Sequence, residues 1–538
     1  MITNIVLVVS LVILLCVITE KFSYKIGVPA LIFFMFIGML FGSDGLMKIE
    51  YENFKQAEMI CSIALIFIMF NGGFNTNWKH ARPYVGKAIM LSSVGVFLTA
   101  MITMVCCHYL LKLSFQESFL LSAVLASTDA ASVFSILKSN NLDLKDGTSS
   151  ILEVESGSND PMAYLLTITA ISIMSSGKMG NLFLTITAQL VVGLGMGLAF
   201  AYISKYTLSK RNIIADGLDV IFILAAVMLC YGVSDRLGGN AYLSVYLMGL
   251  LLGNTRMNSK RPIIAFFNEL TSLLQILIFF IIGLLSFPHS MPETMPLAFA
   301  VVAILTFVAR PLMTIVLLMP LKCSLRQCLL IAWAGLRGAY SIVFAIVAVS
   351  SGIHLSFDIF HVVFLVSLFS IAIQGALLPT MSKKLDMIEK NANIMKTFND
   401  YEESIDFQFA KLHIEKDNEW VGKRIDKIDV PLGSQAIMIR RNGKSLAARG
   451  KSLIKANDDL ILNVPAYYPS GTEEVSEVSV YKGHKWANKT VAELNLPVSQ
   501  LIIMVIRNDE KFIPNGDTLI KEDDVLLIFN GEEQENAQ

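Results

Sequence analysis

The chain has 538 residues, of which 54% are hydrophobic and only 16% charged, with a formal net charge of −1. Soluble domains carry about a quarter charged residues, so this composition indicates an integral membrane protein and gives no reason to expect nucleic acid as a partner. Its seven cysteines form no CxxC motif or Cys/His cluster, so neither a disulfide framework nor a transition-metal site is predicted.

Residues 1–382 are a series of apolar runs long enough to cross a bilayer as helices. The first run lacks a preceding basic residue and a small-residue cleavage site, so we interpret it as a retained helix and not a signal peptide. The pattern predicts thirteen spans, near residues 4–20, 28–43, 56–72, 85–111, 117–137, 148–174, 182–204, 216–233, 240–254, 264–286, 294–319, 326–350 and 358–380.

Every second loop between these spans is rich in lysine and arginine. This set of loops carries about three times as many basic residues as the intervening set, and the positive-inside rule places such loops in the cytoplasm. The distribution therefore predicts a multi-pass protein of the inner (plasma) membrane with its N-terminus outside and its C-terminus in the cytoplasm.

A polar segment, Ser127–Ser132, interrupts the fifth span near its middle and contains Asp129. Ser, Thr and Asp compete for backbone hydrogen bonds and favour helix ends over helix interiors. A helix broken here would expose half-helix ends able to hold an ion at the bilayer midplane. The alternative is an unbroken helix whose polar face lines a neighbouring helix.

The sixth span carries a second carboxylate, Asp160. Ser156 and Asp160 share one helix face, whereas Glu155 and Asp160 are separated by about 140° and so face different neighbours. Pro161 deprives the carbonyl of Gly157 of its helical partner. Carbonyl, hydroxyl and carboxylate oxygens together suit an alkali cation. The alternative is a kinked packing helix with an inert, hydrogen-bonded acid.

Two arginines lie deep in later spans. Arg310 needs a partner in the membrane, and Glu155 is the predicted one, in a structural pair that takes no part in transport; the alternative is that Arg310 reaches the membrane interface. Glu153 has two candidate surroundings, a water-filled funnel or Arg337.

Arg337 lies in the glycine-rich interruption Ala334–Ala339 of the twelfth span. This interruption comes seven spans after the first, an odd offset that fits an inverted repeat of spans 1–6 on spans 8–13. Crossed broken helices would place Asp129 and Arg337 near each other. The fold class predicted for this part is thus an all-α polytopic membrane protein with two inverted repeats.

After residue 400 the composition becomes that of a soluble protein, and an internal repeat appears. Trp420–Val464 aligns without gaps on Trp486–Asn530. Each copy predicts a short helix, strands around a turn and a closing apolar strand, hence two small α+β cytosolic domains. The predicted organisation is a membrane domain at 1–382, a linker at 383–400 and tail domains at 401–468 and 474–535.

Four motifs together resemble the monovalent cation/proton antiporter family, in its NhaP-like, sodium/proton-exchanger branch. They are Thr128–Ser132, Glu155–Pro161, the arginine of Phe307–Pro311 and Gly335–Ala339. The resemblance implies a homodimer with elevator-type alternating access. Two positions depart from the family pattern: Ala130 replaces the proline after Asp129, and Asn71 stands where an acid often precedes Gly-Gly.

The resemblance also implies residue roles. Asp160 binds cation and proton in turn, and a single exchangeable carboxylate implies 1:1, electroneutral exchange. Arg337 compensates charge at the broken helices, and Glu155 and Arg310 form the family's ion pair. The remaining members of the implied ion- and proton-binding set are Asp129, Thr128, Ser156 and Asn159.

The tail repeats resemble the C-terminal subdomain of potassium-conductance regulators (RCK-C, TrkA-C). Such domains dimerise, and some bind small ligands such as nucleotides or cyclic dinucleotides, so a regulatory ligand of this kind is expected on the tail; no other cofactor is expected. The association with potassium favours K⁺ over Na⁺.

The sequence therefore predicts a tail-regulated antiporter serving cation and pH homeostasis, and not an enzyme. Two alternatives stay open: a tail-regulated potassium channel, although no carbonyl-lined filter sequence is present, and an ion-sensing receptor with the shape of a transporter.

Overall fold

The computed structural model describes residues 2–26, 29–76, 78, 82–140, 142–176, 182–209, 217–255 and 260–389 of the membrane part. In the tail it describes 407–465 and 474–530, apart from gaps at 417, 429, 431–433, 442–443, 495, 498–499 and 508–509. The chain divides into two compact units, Met1–Ile394 and Met395–Gln538. This division falls inside the linker predicted at 383–400, although the last membrane helix continues to Lys384.

The described part of the first unit is helical apart from its loops and an isolated bridge between Leu144 and Ile388. Its first eight helices are α1 Ile2–Ile26, α2 Ala30–Phe41, α3 Phe54–Asn75, α4 Val85–Leu110, α5 Phe115–Val124, α6 Ala130–Ser139, α7 Thr148–Ser176 and α8 Leu182–Ser209. The other seven helices in the described residues are α9 Asp219–Arg236, α10 Ala241–Gly253, α11 Lys260–Leu284, α12 Pro288–Leu318, α13 Leu325–Trp333, α14 Ala339–Ser350 and α15 Ile359–Lys384.

The apolar character of these helices makes the unit a membrane-embedded one. Among the described residues, 6 helices are long and apolar enough to cross a membrane, namely α3, α4, the 184–208 part of α8, the 262–284 part of α11, α12 and α15. Helices α2, α10 and α14 are apolar but shorter. The count of thirteen spans stays a prediction.

Two helices of the sequence pattern are broken near their middle. Helix α5 ends at Val124 and α6 begins at Ala130, while α13 ends at Trp333 and α14 begins at Ala339. Both interruptions coincide with the polar and glycine-rich segments that the sequence singled out. Helix α7, in contrast, continues through Pro161.

Small residues bring the helices beside the breaks close together. A Cβ atom on Gly73 of α3 would collide with the backbone of α10, and one on Gly249 or Gly253 of α10 would collide with that of α3. In the same way, a Cβ on Gly38 of α2 would collide with the backbone of α11, and one on Gly283 of α11 would collide with that of α2. Packing in a membrane depends on such close approach because lipid supplies no hydrophobic drive between helices.

The tail contains two four-stranded antiparallel sheets of the same topology. The strands are β1 Phe407–His413, β2 Gln435–Arg441, β3 Lys444–Ala447, β4 Asp459–Pro465, β5 Glu474–Ser479, β6 Gln500–Arg507, β7 Glu510–Phe512 and β8 Val525–Asn530. Their orders are β1-β4-β2-β3 and β5-β8-β6-β7. Each sheet has a register shift at an equivalent place, between Ala436 and Met438 and between Ile502 and Met504.

The repeat also preserves an internal ion pair. Arg441 binds Asp458 through two hydrogen bonds of 2.7 and 2.6 Å, and Arg507 binds Asp524 through two of the same lengths. The hydrogen bond from Arg441 lowers the pKa of Asp458 below its ordinary value. Burial acts to raise the pKa of Asp524, but the hydrogen bonds from Arg507 and the Lys521 N–H outweigh it, so this pKa is lowered as well.

One detail of the predicted tail modules, the short helix, is wrong. The short helix is a single 3₁₀ turn in each copy, Ile425–Lys427 and Val491–Leu494, and a strand that the repeat alignment omitted, β1 or β5, precedes it. A segment of about 60 residues holds one sheet and little else, so the backbone between strands needs only one turn. The predicted hairpin turns at 442–443 and 508–509 lie outside the described residues.

Candidate functional site

The two helix breaks cross, and each satisfies the backbone of the other. The Asp129 N–H donates to the Leu336 carbonyl at 2.8 Å. In the opposite direction, Arg337 Nη1 donates to the carbonyls of Ala126 and Ser127 at 3.0 and 2.6 Å. The structure thus brings Asp129 and Arg337 to one crossing, where backbone groups freed by the breaks find partners inside the protein.

Asp129 occupies the N-terminal ends of two half-helices. Its carboxylate accepts hydrogen bonds from Ser132, from the backbone N–H at 3.2 Å and from the hydroxyl at 2.6 Å, which is the geometry of a cap on α6. The same carboxylate packs so closely on Gly338, the residue before α14, that a Cβ there would overlap it. A negative charge at this point compensates the positive ends of both helices.

The C-terminal half-helix ends are compensated by donors from other elements. Arg337 compensates the C-terminal end of α5 through its hydrogen bonds to the carbonyls of Ala126 and Ser127. At the end of α13, Arg310 Nη2 donates to the Ile331 carbonyl at 3.3 Å and Gln374 Nε2 to the Trp333 carbonyl at 3.0 Å. Each negative helix end therefore meets a positive or donor group.

Asp160 lies on α7 beside this crossing. Its side chain is only 2% exposed, and it accepts a hydrogen bond from the Ser127 hydroxyl, which belongs to the first break. A buried carboxylate without a basic partner is costly in its charged form unless a proton or cation neutralises it. Among the described residues, Asp160 has no ion pair with a lysine, arginine or histidine.

The other sequence-predicted site residues link α7 to the first break. Ser156 Oγ donates to the Thr128 carbonyl at 2.9 Å, and the Asn159 amide donates to the Thr128 hydroxyl. The Asn159 side-chain oxygen is buried without a hydrogen-bond partner. Thr128, Ser156 and Asn159 thus hold the break against the helix that carries Asp160.

Glu155 faces away from Asp160 and contacts Arg310. Arg310 Nη1 donates to Glu155 Oε1 at 2.7 Å, and the two side chains are 4% and 1% exposed. This pair joins α7 to α12 at the π-helical turn Leu305–Ala309, which directly precedes Arg310. Its charges cancel inside the protein.

A cavity of about 290 Å³ leads to Asp160. Glu153 is exposed and lines it, so the structure places Glu153 in a funnel and not in a pair with Arg337. Asn71 lines it as well and donates to Asn268 at 3.2 Å. The polar residues of the lining are Asn71, Asn75, Thr76, Asp129, Glu153, Ser156, Asp160, Tyr246, Thr271, Gln275 and Tyr340.

Aromatic rings pack beyond Asp160 on the same helix. Tyr164, one turn further along α7, meets Tyr242 edge-on with ring centroids 4.8 Å apart, and Tyr231 meets Tyr242 at 5.1 Å. Tyr242 is 2% exposed. None of these three rings lines the cavity described above, so they fill the bundle on the other side of the carboxylate.

Sequence reasoning missed several residues that complete the site. Ser127 stands inside the motif that was singled out, and its hydroxyl could have been named from its place beside Asp129. Ser370 and Gln374 come from the last helix, where the Ser370 hydroxyl accepts the Arg337 N–H at 3.1 Å. Their only local signal is polarity within an apolar run.

The chain matches two known families. The transmembrane sodium/hydrogen exchanger family matches residues 10–384, and the TrkA-C domain matches residues 475–535. The first match covers the membrane unit, including both breaks, and the second covers the later of the two tail sheets.

Relatives and solved structures agree with this assignment. The chain is 31% identical to the K⁺/H⁺ antiporter NhaP of Alkalimonas amylolytica over 470 residues, which are 85% of this chain and 80% of that protein. It is 31% identical to the K⁺/H⁺ antiporter NhaP2 of Shewanella sp. (strain ANA-3), over 82% of this chain and 78% of that protein. The sodium proton antiporter MjNhaP1 of Methanocaldococcus jannaschii shares the fold, with a TM-score of 0.62 at 20% identity over 71% of this chain and 99% of that one.

Proposed function

The chain belongs to the sodium/hydrogen exchanger family, and we propose that it exchanges a monovalent cation for a proton by using Asp160 as the shared binding group. The observation that carries the proposal is a carboxylate only 2% exposed that ends a cavity of about 290 Å³. It lines the cavity, while no basic side chain among the described residues neutralises it.

Competition for one carboxylate makes the exchange obligatory. A desolvated carboxylate is unstable as a bare anion, so Asp160 crosses the apolar barrier only with a proton or with a dehydrated cation. Asp129, Thr128, Ser156 and Asn159 belong to this site, as ligands or as the groups that hold the ligands in place. The empty, charged state does not move, which prevents a leak.

The buried charges support a one-to-one exchange. At the crossing, Asp129, Glu155 and Asp160 contribute three negative charges, and Arg310 and Arg337 contribute two positive ones. The core therefore carries a net charge of −1 when Asp160 is ionised. One proton or one monovalent cation makes it neutral, so both loaded states cross the membrane with the same charge and the cycle is electroneutral.

Potassium is the favoured cation and sodium the alternative. The relatives that align over about four-fifths of this chain bear the name K⁺/H⁺ antiporter. The TrkA-C match in the tail points the same way, whereas the structural neighbour MjNhaP1 bears the name of a sodium proton antiporter.

The proposed architecture has thirteen spans in two inverted repeats, with the N-terminus outside and the C-terminus inside the inner membrane. On this topology Leu31, Thr76 and Glu153, which line the cavity, lie near cytoplasmic helix ends. The described conformation is then inward-facing, and the tyrosines beyond Asp160 close the outer route. Elevator movement of the core within a homodimer would reverse this arrangement.

The tail is proposed to regulate the exchange. Two modules of TrkA-C type, at 401–468 and 474–535, would bind a small regulatory ligand such as a nucleotide or cyclic dinucleotide. A ligand there shifts the transporter only as far as its affinities for the inward- and outward-facing states differ.

The test is exchange in proteoliposomes, followed by a pH-sensitive dye. Wild-type protein should dissipate a proton gradient when K⁺ is added, and Asp160→Asn should not. Repeating the assay with Na⁺, Li⁺ and Rb⁺ gives the selectivity. Full exchange by folded Asp160→Asn would overturn the proposal.

A further inference from the structure

We propose that the cavity contains a second, outer site for a monovalent cation at Glu153, where the ion is held in partly hydrated form before it reaches Asp160. The inference deepens the proposed function, because it assigns a loading step to that same exchange. Its basis is the geometry of α7, the charge of the cavity wall and a tyrosine ring that contacts α7 between the two carboxylates.

Glu153 and Asp160 lie on one stripe of α7. Their separation of seven residues turns the helix by about 700°, so the two side chains are only about 20° apart around the axis, and about 10.5 Å apart along it. Ser156 and Gly157 fall on the same stripe between them, and all four line the cavity. The stripe thus presents two carboxylates at successive depths.

The charge of Glu153 is available to a ligand, unlike that of its neighbour Glu155. Glu155 is 1% exposed and bound to Arg310, whereas Glu153 is exposed and takes part in no ion pair among the described residues. The described lining of the cavity contains three carboxylates and no lysine, arginine or histidine. In the described lining, therefore, no basic side chain competes with an incoming cation for these carboxylates.

The rest of the wall offers neutral oxygen ligands. Asn71 and Asn75 lie on the facing helix α3, and Gln275 lies on α11. The Asn75 amide donates to Asn71 at 3.1 Å and to Asn268 at 2.9 Å, which fixes its orientation. One carboxylate with amide oxygens and water suits a monovalent cation, since divalent ions favour several charged oxygens.

A tyrosine ring contacts α7 between the two depths. Tyr246 of α10 packs against α7 at Gly157, where a Cβ atom would lie 2.9 Å from Cε2 and 3.0 Å from Oη of the ring. Gly157 sits between Glu153 and Asp160 on the stripe. We place the loss of water from the ion at this ring, so that Glu153 and Asp160 act as separate binding sites.

Direct binding measurements test the outer site independently of transport. Equilibrium dialysis of full-length purified protein with ⁸⁶Rb⁺ and with ²²Na⁺ would compare Asp160→Asn with the double variant Glu153→Gln/Asp160→Asn. We expect the single variant to retain a weak class of cation site and the double variant to lack it. The matched control is Glu293→Gln/Asp160→Asn, because Glu293 is exposed and does not line the cavity; it should retain the site.

Transport kinetics give a second readout. In proteoliposomes Glu153→Gln should raise the apparent KM for the cation by about tenfold, as loss of a focusing charge does, and lower the maximal rate much less. Glu153→Asp should recover part of the affinity. Glu293→Gln should match the wild-type KM.

Each outcome decides between the two proposals. If Asp160→Asn binds neither cation better than the double variant does, or if the Glu293 control loses binding equally, the outer site is refuted. If binding at Glu153 is found but wild-type protein exchanges no cation for protons, the outer site stands and the proposed function falls. If Glu153→Gln changed the maximal rate but not the apparent KM, the proposed loading step at Glu153 would also be refuted.

Discussion

Neutralising Glu155 tests the buried ion pair and the charge count together. Glu155→Gln keeps the size of the side chain but leaves Arg310 charged in a place where it is 3% exposed. The variant also raises the net charge of the core from −1 to zero when Asp160 is ionised. We therefore expect a loss of both stability and exchange from one substitution that touches neither the ion nor Asp160.

The expected loss of stability is large. Removing one partner of a buried pair costs about 3–5 kcal/mol, because the other charge remains without compensation. The 2.7 Å contact and the burial of both side chains place this pair in that class. An amide at position 155 still accepts a hydrogen bond from Arg310, so the lower end of the range is expected. Thermal unfolding of the purified protein in detergent measures the change.

The double variant Glu155→Gln/Arg310→Gln separates the two effects. It removes both charges, which restores the net charge of −1, and two amides can hydrogen-bond to each other. Stability and exchange should both recover towards wild type, with a coupling measurable as a double-mutant cycle. If the double variant is stable but does not exchange, the Glu155–Arg310 pair takes part in ion transport. If Glu155→Gln is as stable as wild type, the pair does not stabilise the fold.

Two further predictions concern the helix crossing and the tail. Gly338→Ala should slow exchange by at least about tenfold, since its Cβ displaces the carboxylate that caps both half-helices and small misplacements in a site are costly; Gly195→Ala, where a Cβ meets nothing within 4 Å, is the control, and equal effects would contradict the argument. In the tail, Asp458 and Asp524 have lowered pKa values in the folded state, so their stabilisation is complete above the unfolded value of about 3.9 and is lost as the pH falls through the folded values. Calorimetry of the full-length protein should show a tail transition that is constant from pH 7 to about pH 5 and falls below about pH 4, with a smaller fall in Arg441→Gln; a loss that begins near pH 6 would disagree.

The parts of the site that depend on position along a helix could be predicted from the sequence. The angle between Glu155 and Asp160 sends their side chains to different neighbours, and in the structure one contacts Arg310 while the other faces the cavity. The odd offset between the two interruptions placed Asp129 near Arg337, and the backbone of each break now binds the other. Period and spacing were sufficient because these relations are local or topological.

Contacts between helices that are distant in the sequence could not be predicted in this way. Gln374 and Ser370 serve the second break from α15, and Asn240 donates to the Pro161 carbonyl from the start of α10. A lone polar residue in an apolar run signals a partner but does not say which one, because that depends on helix rotation and crossing. The 3₁₀ turns of the tail were misjudged for a related reason: the pattern of apolar residues there is too short to distinguish one turn from a helix.

Proton release on cation binding tests the shared carboxylate most directly. Purified protein in weakly buffered solution, at a pH where Asp160 holds its proton, would receive K⁺ or Na⁺ while a dye reports free protons. Under this condition the account predicts release of about one proton per protomer from wild type and none from Asp160→Asn. Equal release from both proteins, or cation binding by wild type at low pH with no release, would contradict it.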